Sequence, residues 1–413
     1  MIIAVIFLMA FMAIHTQSYF GDEGYHFEQM RRFREGNFGM NEQLTMLPGY
    51  HWFVAGPMFL TGMHVLNFYR AITIILSLLS VAVFQAILRT LKSRASVPRT
   101  LQYAFIPILF PFFFFFYTDV PSLLLILVSI LLTLRRQYVF AALVCIVSMA
   151  VRQNNIVWLF LAFSIFLWDE WPAFLRWLPH RVRRWKLLSE LRVRFRARAS
   201  TAMIISALLL FGIGFCLFGA FVVWNGGIAI GDSDSHPFPA IHTGNIFFAL
   251  LLSFFIFLPL HISNSKTIIR RVISSNFLAP MTALLFLLYM MTFHNDHWYN
   301  QGWDSVFIRN RILMAMTYTP FLKILFFIPI GCAFLSFVVT PLARRSFWLL
   351  YPIVILSLLP SWLIEERYYF VPFALFLLFR EERSERFEYL SAGYSMLCTV
   401  LLFIPVALRW FFL

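Results

Sequence analysis

The sequence predicts an all-α polytopic membrane protein with about 13 transmembrane helices, and three observations lead to that prediction. Hydrophobic residues make up 61% of the 413 residues. Charged residues make up only 13%, about half the share that is usual in globular proteins. Apolar runs of about the length that crosses a bilayer recur along the whole chain, separated by polar breaks. These features exclude an ordinary soluble enzyme and indicate a single transmembrane domain over residues 1–413.

The predicted spans follow one another with short connections. The first is interpreted as a retained helix, because no basic residues precede its apolar run as they do in a signal peptide. The first external loop, residues 20–67, contains a semi-apolar stretch interrupted by Gly56, Pro57 and Gly62, and we expect it to form a helix along the membrane surface. The thirteen spans lie at residues 2–19, 68–88, 101–117, 119–134, 137–151, 155–170, 202–224, 246–261, 275–293, 312–339, 346–362, 368–380 and 391–411.

The charges give an independent test of this count. The chain has 33 Lys and Arg against 19 Asp and Glu, and the basic residues lie mainly in every second connection, which is typical of cytoplasmic loops rather than of nucleic-acid binding. With Met1 in the cytoplasm, the basic connections contain Arg89, Lys92, Arg94, Arg99, Arg135, Arg136, Lys266, Arg270, Arg271, Arg344, Arg345, Arg380, Arg383 and Arg386. The opposite connections contain Asp22, Glu23, Glu28, Asp119, Asp232, Asp234, Asp296, Glu365 and Glu366.

The most basic connection covers residues 171–201. Its run from Arg176 to Arg198 carries nine Lys and Arg residues, with Trp177 and Trp185 among them. This composition predicts a cytoplasmic amphipathic helix at the membrane surface, although a surface that binds a partner remains the alternative.

The first external loop concentrates groups that can move a proton. Asp22, Glu23 and His26 follow the first span directly. A partly desolvated carboxylate near an imidazole suits a general base that takes a proton from a sugar hydroxyl. The same two carboxylates could instead cap the helix that follows them. The local sequence leaves both interpretations open.

Six separated segments carry a resemblance to a known group of enzymes, and all six map to the non-cytoplasmic side. They resemble the GT-C superfamily of polytopic glycosyltransferases, most closely the family of the dolichyl-phosphate-glucose-dependent alpha-1,2-glucosyltransferase, whereas residues 294–299 match that family only loosely. The six segments are Asp22-Glu23 with His26, Leu47-Pro48-Gly49, Tyr117-Thr118-Asp119-Val120, residues 152–158, residues 225–236 and Glu365-Glu366-Arg367-Tyr368-Tyr369.

The resemblance implies a GT-C type bundle with surface helices in the first external loop, and a glucose transfer. The sugar moves from a polyprenyl (dolichyl) phosphate carrier to a hydroxyl of a lipid-linked oligosaccharide or related glycan by an inverting displacement. Asp22 is then the first choice for the catalytic base and Glu23 the second. The bilayer, the lipid-borne donor and the glycan acceptor are the implied partners, and nucleic acid is not.

The donor phosphate needs cations at headgroup depth, and four external arginines are candidates: Arg152, Arg309, Arg311 and Arg367. A guanidinium can hold phosphate oxygens with two hydrogen bonds, although each arginine could instead reach from a span end to the interface. Asp119 is expected either to pair with Arg152 or to contact substrate. The candidates for sugar or acceptor contact are His26, Asp119, Gln153, Asn154, Asp232, His236 and Glu365.

No cofactor and no metal are expected. Asp232, Asp234 and His236 could chelate a divalent ion, but a phosphate leaving group already held by arginines does not need one. The four cysteines lie far apart in apolar runs, without the spacing of a disulfide framework or a zinc site.

Two other functions compete with this one. A related enzyme could move a different sugar, or use a protein or glycolipid acceptor. A lipid or sugar transporter would carry ionisable residues near span midpoints, whereas here they cluster at span ends on one side. The predicted location is the endoplasmic reticulum membrane or a bacterial inner membrane, with the site on the lumenal or periplasmic side.

Overall fold

The computed structural model of the chain describes residues 2–177, 201–237 and 241–413. These residues form α-helices joined by 3-10 turns and loops, and they contain no β-strand. The all-α prediction is therefore confirmed. Most of the predicted cytoplasmic surface helix at 171–201 lies outside the described residues.

Seventeen α-helices occur in the described part of the chain, numbered here in order. The first nine are α1 (Ile2–Ile14), α2 (Glu23–Arg34), α3 (Gly49–Thr61), α4 (Leu66–Thr90), α5 (Ser96–Ala104), α6 (Asp119–Leu134), α7 (Tyr138–Val151), α8 (Ile156–Trp177) and α9 (Thr201–Asn225). The other eight are α10 (Gly244–Ile256), α11 (Leu258–Ser274), α12 (Leu278–Thr292), α13 (Ile308–Tyr318), α14 (Pro320–Val339), α15 (Leu350–Leu358), α16 (Phe370–Phe379) and α17 (Glu385–Ala407).

Four of these helices, α4, α9, α14 and α17, are long and apolar enough to cross a membrane. The pair α10 and α11 passes the same test together, although the two helices meet at 98°. Five shorter apolar helices of 10–17 residues accompany them in the described residues. The chain is thus a multi-pass membrane protein, while the count of about 13 spans stays a prediction.

One predicted span is not a continuous helix. Within residues 101–117 the chain leaves α5 at Ala104 and makes only a short 3-10 turn at Phe110–Phe113. Pro107 and Pro111 explain the break, because proline lacks the N–H that a helix needs and clashes with the preceding turn. This irregular segment is almost entirely buried, which protects its backbone from lipid.

Prolines also divide two other predicted spans. The run 246–261 breaks at Phe257, just before Pro259, and the run 312–339 breaks between Tyr318 and Pro320. Both prolines lie in the first turn of the next helix, where the missing N–H has no intrahelical partner to lose.

The phenylalanine-rich segment before residue 117 forms the centre of the largest core cluster. The rings of Phe112–Phe115 are completely buried there, between α1, α4 and the start of α16. The packed segment carries Tyr117 and Asp119 to the end of the bundle at which α6 begins. The tightly packed core beside Tyr117 and Asp119 thereby fixes the positions of these two residues.

Candidate functional site

Asp22 is held in place by a tight turn before α2. Its backbone N–H donates to the hydroxyl of Tyr117 at 2.5 Å, and that hydroxyl donates to the carbonyl of Phe20 at 2.9 Å. Gly21 has φ +52, and a Cβ there would collide with the Tyr117 hydroxyl and the Phe412 ring. Only glycine fits this left-handed position without strain. The Asp22 side chain is 38% exposed.

Arg367 lies at the centre of the charged residues. Its Nη2 is 2.9 Å from Asp22 Oδ2 and 2.5 Å from Glu365 Oε1, and its Nη1 is 3.9 Å from Asp119 Oδ2. The guanidinium also lies 5.2 Å from the centre of the Tyr117 ring. Burial lowers the pKa of Arg367, but the three carboxylates outweigh that effect and raise it well above its ordinary value. Arg367 therefore stays a cation within the protein.

Arg152 and Asp119 meet because α6 and α7 form a helical hairpin. Asp119 begins α6 and Arg152 follows the end of α7, so both lie at the same end of the pair. Their ion pair confirms the partner predicted for Asp119. Asp119 Oδ2 is buried without a hydrogen bond. Arg152 makes no hydrogen bond through Nε or Nη2 to any described residue, which leaves two donors for a ligand.

Arg309 adds a third guanidinium, in contact with a carboxylate pair. Its Nη1 lies 3.6 Å from Glu365 and 3.4 Å from Glu366. Burial raises the pKa of Glu365, but Arg367 and Arg309 lower it more, to about 2. For Glu366, burial prevails over Arg309 and raises the pKa above its usual value. The pKa values of the two adjacent carboxyls therefore shift in opposite directions, and the arginines favour the ionised form most strongly at Glu365.

A cavity of about 1200 Å³, including the part open to solvent, adjoins these ion pairs. Asp119, Arg152 and Arg367 contribute charged groups to its lining. Another part of the lining is apolar and comes from α8, α9, α15 and α16: Trp158, Phe218, Leu356, Phe370 and Val371. The cavity therefore combines a polar end with a hydrocarbon wall. Asp22 does not line it and contacts its charged residues through Arg367.

Gln153, predicted to contact substrate, lines the cavity and joins two loops there. Its Nε2 donates to the carbonyls of Thr45 at 2.6 Å and Ile228 at 2.7 Å, and its Oε1 accepts from Leu47 N–H at 3.1 Å. These bonds use both of its amide hydrogens. The neighbouring Asn154 is exposed and lines the cavity, so its side chain is available to a ligand.

Glu23, the second candidate base, is fully buried. It accepts two hydrogen bonds from Arg70, at 3.0 and 2.6 Å, and further bonds from the backbone N–H groups of Phe20 and Phe116. No acceptor hydroxyl can reach a carboxylate whose oxygens are enclosed in this way. Glu23 therefore holds the turn that presents Asp22.

His26 is also buried, and its Nδ1 shares a 2.9 Å hydrogen bond with Nε2 of His51. The bond joins α2 and α3, the two helices of residues 20–67, whose place along the membrane surface stays a prediction. Burial is the main cause that lowers the pKa of His26 well below its ordinary value, with His51, Arg367 and Arg152 acting in the same direction. Burial lowers the pKa of His51 to about 3.

We expect acid to destabilise the folded protein through the buried histidines His26 and His51. The folded protein keeps both imidazoles neutral, whereas the unfolded chain binds protons below about pH 6.5, so stability falls as the pH falls from there towards 3. The slope is at most about 1.4 kcal/mol per pH unit for each histidine. Thermal unfolding of the purified protein between pH 7.5 and 5 measures it. The variant His51→Gln should show a shallower slope, and equal slopes would contradict this origin.

The remaining predicted contacts separate into two groups. His236 and Glu365 lie at the cluster: His236 lines the cavity, and burial lowers its pKa although Glu365 and Asp232 oppose this. Asp232 lies further out and accepts hydrogen bonds from Ser235 at 2.8 Å and Tyr299 at 3.4 Å. Arg311 is exposed, donates to the carbonyl of Ser305 at 3.1 Å and does not line the cavity.

The predicted convergence of distant charges is thus confirmed for Asp22, Asp119, Arg152, Arg309 and Arg367, while their chemical roles stay predictions. Sequence reasoning missed the contribution of Tyr117. Its place in one of the six resembling segments was the available signal. No group of three or more His, Cys, Asp and Glu side chains in the described residues could hold a metal ion.

Comparison with known proteins gives a match over most of the chain. The model of the DIE2/ALG10 family matches residues 16–378. No solved structure gives a significant match.

Curated relatives share one printed name, Dol-P-Glc:Glc(2)Man(9)GlcNAc(2)-PP-Dol alpha-1,2-glucosyltransferase. The Candida albicans protein is 27% identical over 325 residues, which cover 74% of this chain and 66% of the relative. A human protein is 25% identical over 404 residues, covering 86% of this chain and 83% of the relative. The Arabidopsis thaliana protein is 24% identical, with 89% and 86% covered.

Proposed function

The chain belongs to the DIE2/ALG10 family, and from this membership and the geometry of the cavity we propose that it is a membrane glucosyltransferase. Its donor is dolichyl-phosphate glucose, and its acceptor is a hydroxyl of a lipid-linked oligosaccharide of the kind in the relatives' names. The observation that carries the proposal is the cavity with guanidinium groups at one end and an apolar wall beside them. A phosphate joined to a long hydrocarbon needs both surfaces at once.

The donor phosphate binds Arg152 and Arg367. Arg152 offers its free Nε and Nη2 donors, and Arg367, which like Arg152 lies beside Asp119, also lines the cavity. The hydrocarbon tail follows the apolar wall past Phe218, Leu356 and Val371 towards the lipid. Arg309 acts indirectly, because its ion pairs hold Glu365 beside Arg367.

Transfer is a single displacement with inversion. An acceptor hydroxyl oxygen forms a bond to the anomeric carbon, the bond from that carbon to the phosphate oxygen breaks, and the hydroxyl proton passes to a carboxylate. The guanidinium groups stabilise the charge on the departing phosphate. Asp22 is the base because its carboxylate is 38% exposed, whereas the side chains of Asp119, Glu365 and Glu366 are at most 5% exposed in ion pairs.

Acceptor contacts come from side chains that remain available around the cavity. Asn154 and His236 line it directly. Asp232 lies beyond His236 and receives hydroxyl groups further along the glycan. Gln153 and His26 serve the site as positioning residues, through the loops and helices that they join.

The site faces the lumen of the endoplasmic reticulum in this proposal. The separation of basic and acidic connections along the sequence supports that side. The shorter apolar helices also enter the bilayer beside the long ones and build a GT-C type bundle. The apolar runs of the sequence put its number of spans at about 13.

A reconstituted assay tests the function. The purified protein is offered dolichyl-phosphate glucose, dolichyl-phosphate mannose or no donor, together with lipid-linked Glc2Man9GlcNAc2, and the released glycans are weighed by mass spectrometry. We expect one hexose to be added from the glucose donor alone. Addition from mannose alone, or from neither donor, would contradict the proposal.

Two arginines that the sequence ranked together should now behave differently. We expect Arg152→Ala to raise the donor KM roughly tenfold to a hundredfold, as for the loss of charged hydrogen bonds of about 1.5–3 kcal/mol. Arg311→Ala should leave the donor KM nearly unchanged, because that side chain is exposed and outside the cavity. Initial rates over a donor titration, with thermal stability as a check on folding, measure both. Equal effects of the two substitutions would contradict the phosphate assignment.

A further inference from the structure

A second cavity is lined in part by Trp362 and Ile364, which precede Arg367 in the same segment. It has a volume of about 770 Å³, including the part open to solvent, and lies at the ends of α10 and α12. His242, His294, Asp296 and Trp362 contribute to its lining. No Lys or Arg is among the described residues that line it, which argues against a phosphate ligand.

Aromatic rings form a surface here called the Trp362 platform: His242 and Trp362 line the cavity, and Trp298 packs against Trp362 beside it. The Trp362 ring lies nearly parallel to His242 at 5.9 Å and edge-on to Trp298 at 5.0 Å. Its Nε1 donates to Asp296 Oδ1 at 2.9 Å, which fixes the orientation of the indole. Trp298 remains 47% exposed.

This combination suits a sugar. The C–H groups on one face of a pyranose pack on an aromatic ring, while carboxylate and imidazole groups at the rim exchange hydrogen bonds with hydroxyls. Asp296, His242 and His294 supply those polar groups around Trp362. A neutral ligand with many hydroxyls matches a cavity that has aromatic and polar groups but no fixed cation.

Along the chain, the platform is close to Arg367 and the charged residues around it, here called the charged cluster: Asp22, Asp119, Arg152 and Glu365. Ser361 lines the first cavity and Trp362 the second, and Arg367 follows five residues later. The Cα atoms of Trp362 and Arg367 are therefore at most about 18 Å apart. A glycan whose end lies at the cluster can reach the platform through a few linked sugars.

We infer that the Trp362 platform binds inner sugars of the oligosaccharide acceptor while its terminal glucose lies at Asp22 and Arg367. The inference rests on the proposed function for the identity of the glycan. The platform acts on acceptor affinity and not on the donor, because it lies outside the donor cavity. An acceptor that is too short to reach the platform gains no affinity from it.

Two acceptors of different length test this. Trp298→Ala and Trp362→Ala are each assayed with lipid-linked Glc2Man9GlcNAc2 and with a synthetic glucose disaccharide. We expect the KM for the long acceptor to rise roughly tenfold, equivalent to about 1.4 kcal/mol, with the donor KM and the KM for the disaccharide unchanged. Equal increases for both acceptors, or no increase, would overturn the inference.

Trp303→Ala is the matched control. Trp303 is 46% exposed, nearly the same as Trp298, but it packs on Tyr318 at 5.7 Å, whereas Trp298 packs on Trp362 at 5.0 Å. It should leave the KM for the long acceptor unchanged. If the three tryptophans form only an interfacial aromatic belt, all three variants will lose stability alike and none will show a length-dependent KM. That result also overturns the inference.

A binding measurement separates this inference from the proposed function. Soluble Glc2Man9GlcNAc2 is titrated into the wild-type protein and the Trp362→Ala variant, with tryptophan fluorescence as the signal. Glycan binding that Trp362→Ala weakens, without glucose transfer by the wild type, supports the platform and refutes the glucosyltransferase. Glucose transfer with glycan binding that is equal in the two proteins refutes the platform alone. If the wild-type protein shows no glycan binding and no glucose transfer, both the platform and the glucosyltransferase are refuted.

Discussion

Asp22→Asn is expected to abolish glucose transfer, with a loss of at least about 10²–10⁴-fold, the range that a general base contributes. The amide keeps the size of the side chain but cannot take the hydroxyl proton. The turn should survive, because Tyr117 holds Asp22 through its backbone N–H and not through its carboxylate. Product formation by the purified variant at saturating donor and acceptor measures the effect.

Glu28→Gln is the control for this substitution. Glu28 lies on the same surface helix, and its carboxylate pairs with Arg31 in solvent. It should retain wild-type turnover. Asp22→Asn should bind the donor, since Arg152 and the apolar wall are unchanged, and should unfold near the wild-type temperature. Near-normal turnover by a folded Asp22→Asn protein would reject Asp22 as the base.

The convergence of charges was predictable from sequence. Arg152, Arg309 and Arg367 all lie in connections where orientation gives no reason for a cation, next to acidic residues at span ends. Buried charges need partners, so these groups had to meet one another or a ligand. The pairing of each carboxylate with a particular arginine depends on how the helices form hairpins. The spacing of these residues along the sequence does not predict it.

The different roles of Asp22 and Glu23 were not predictable. Consecutive residues at a helix start point about 100° apart, since a turn has 3.6 residues, so Glu23 can face the core while Asp22 pairs with Arg367 and stays partly exposed. The deciding contact is Arg70, 47 residues away, which the sequence marks only as a charge at the start of a span. Hydropathy likewise predicted one span over 101–117, because Pro107 and Pro111 interrupt a helix without lowering its apolar content.

Arg70→Met is expected to destabilise the protein by about 3–5 kcal/mol, the usual result of removing one partner of a buried ion pair. All five N–H groups of Arg70 have acceptors: two on Glu23, and the others on the carbonyls of Ile14, Gln17 and Ser18. One side chain thus joins the end of α1 to the starts of α2 and α4. Its loss leaves the Glu23 carboxylate buried without a cation.

A double-mutant cycle measures how much of that loss belongs to the pair. Glu23→Gln removes the uncompensated charge, so Arg70→Met with Glu23→Gln should be less destabilised than the sum of the two single variants. Thermal stability in detergent is the measurement, with the exposed Arg311→Met as the control that should change little. Strictly additive losses would show that Arg70 acts through the three carbonyls alone. Glu23 also accepts from the backbone N–H groups of Phe20, two residues before Asp22, and Phe116, directly before Tyr117. Every variant of the Arg70–Glu23 pair should therefore lose activity along with stability.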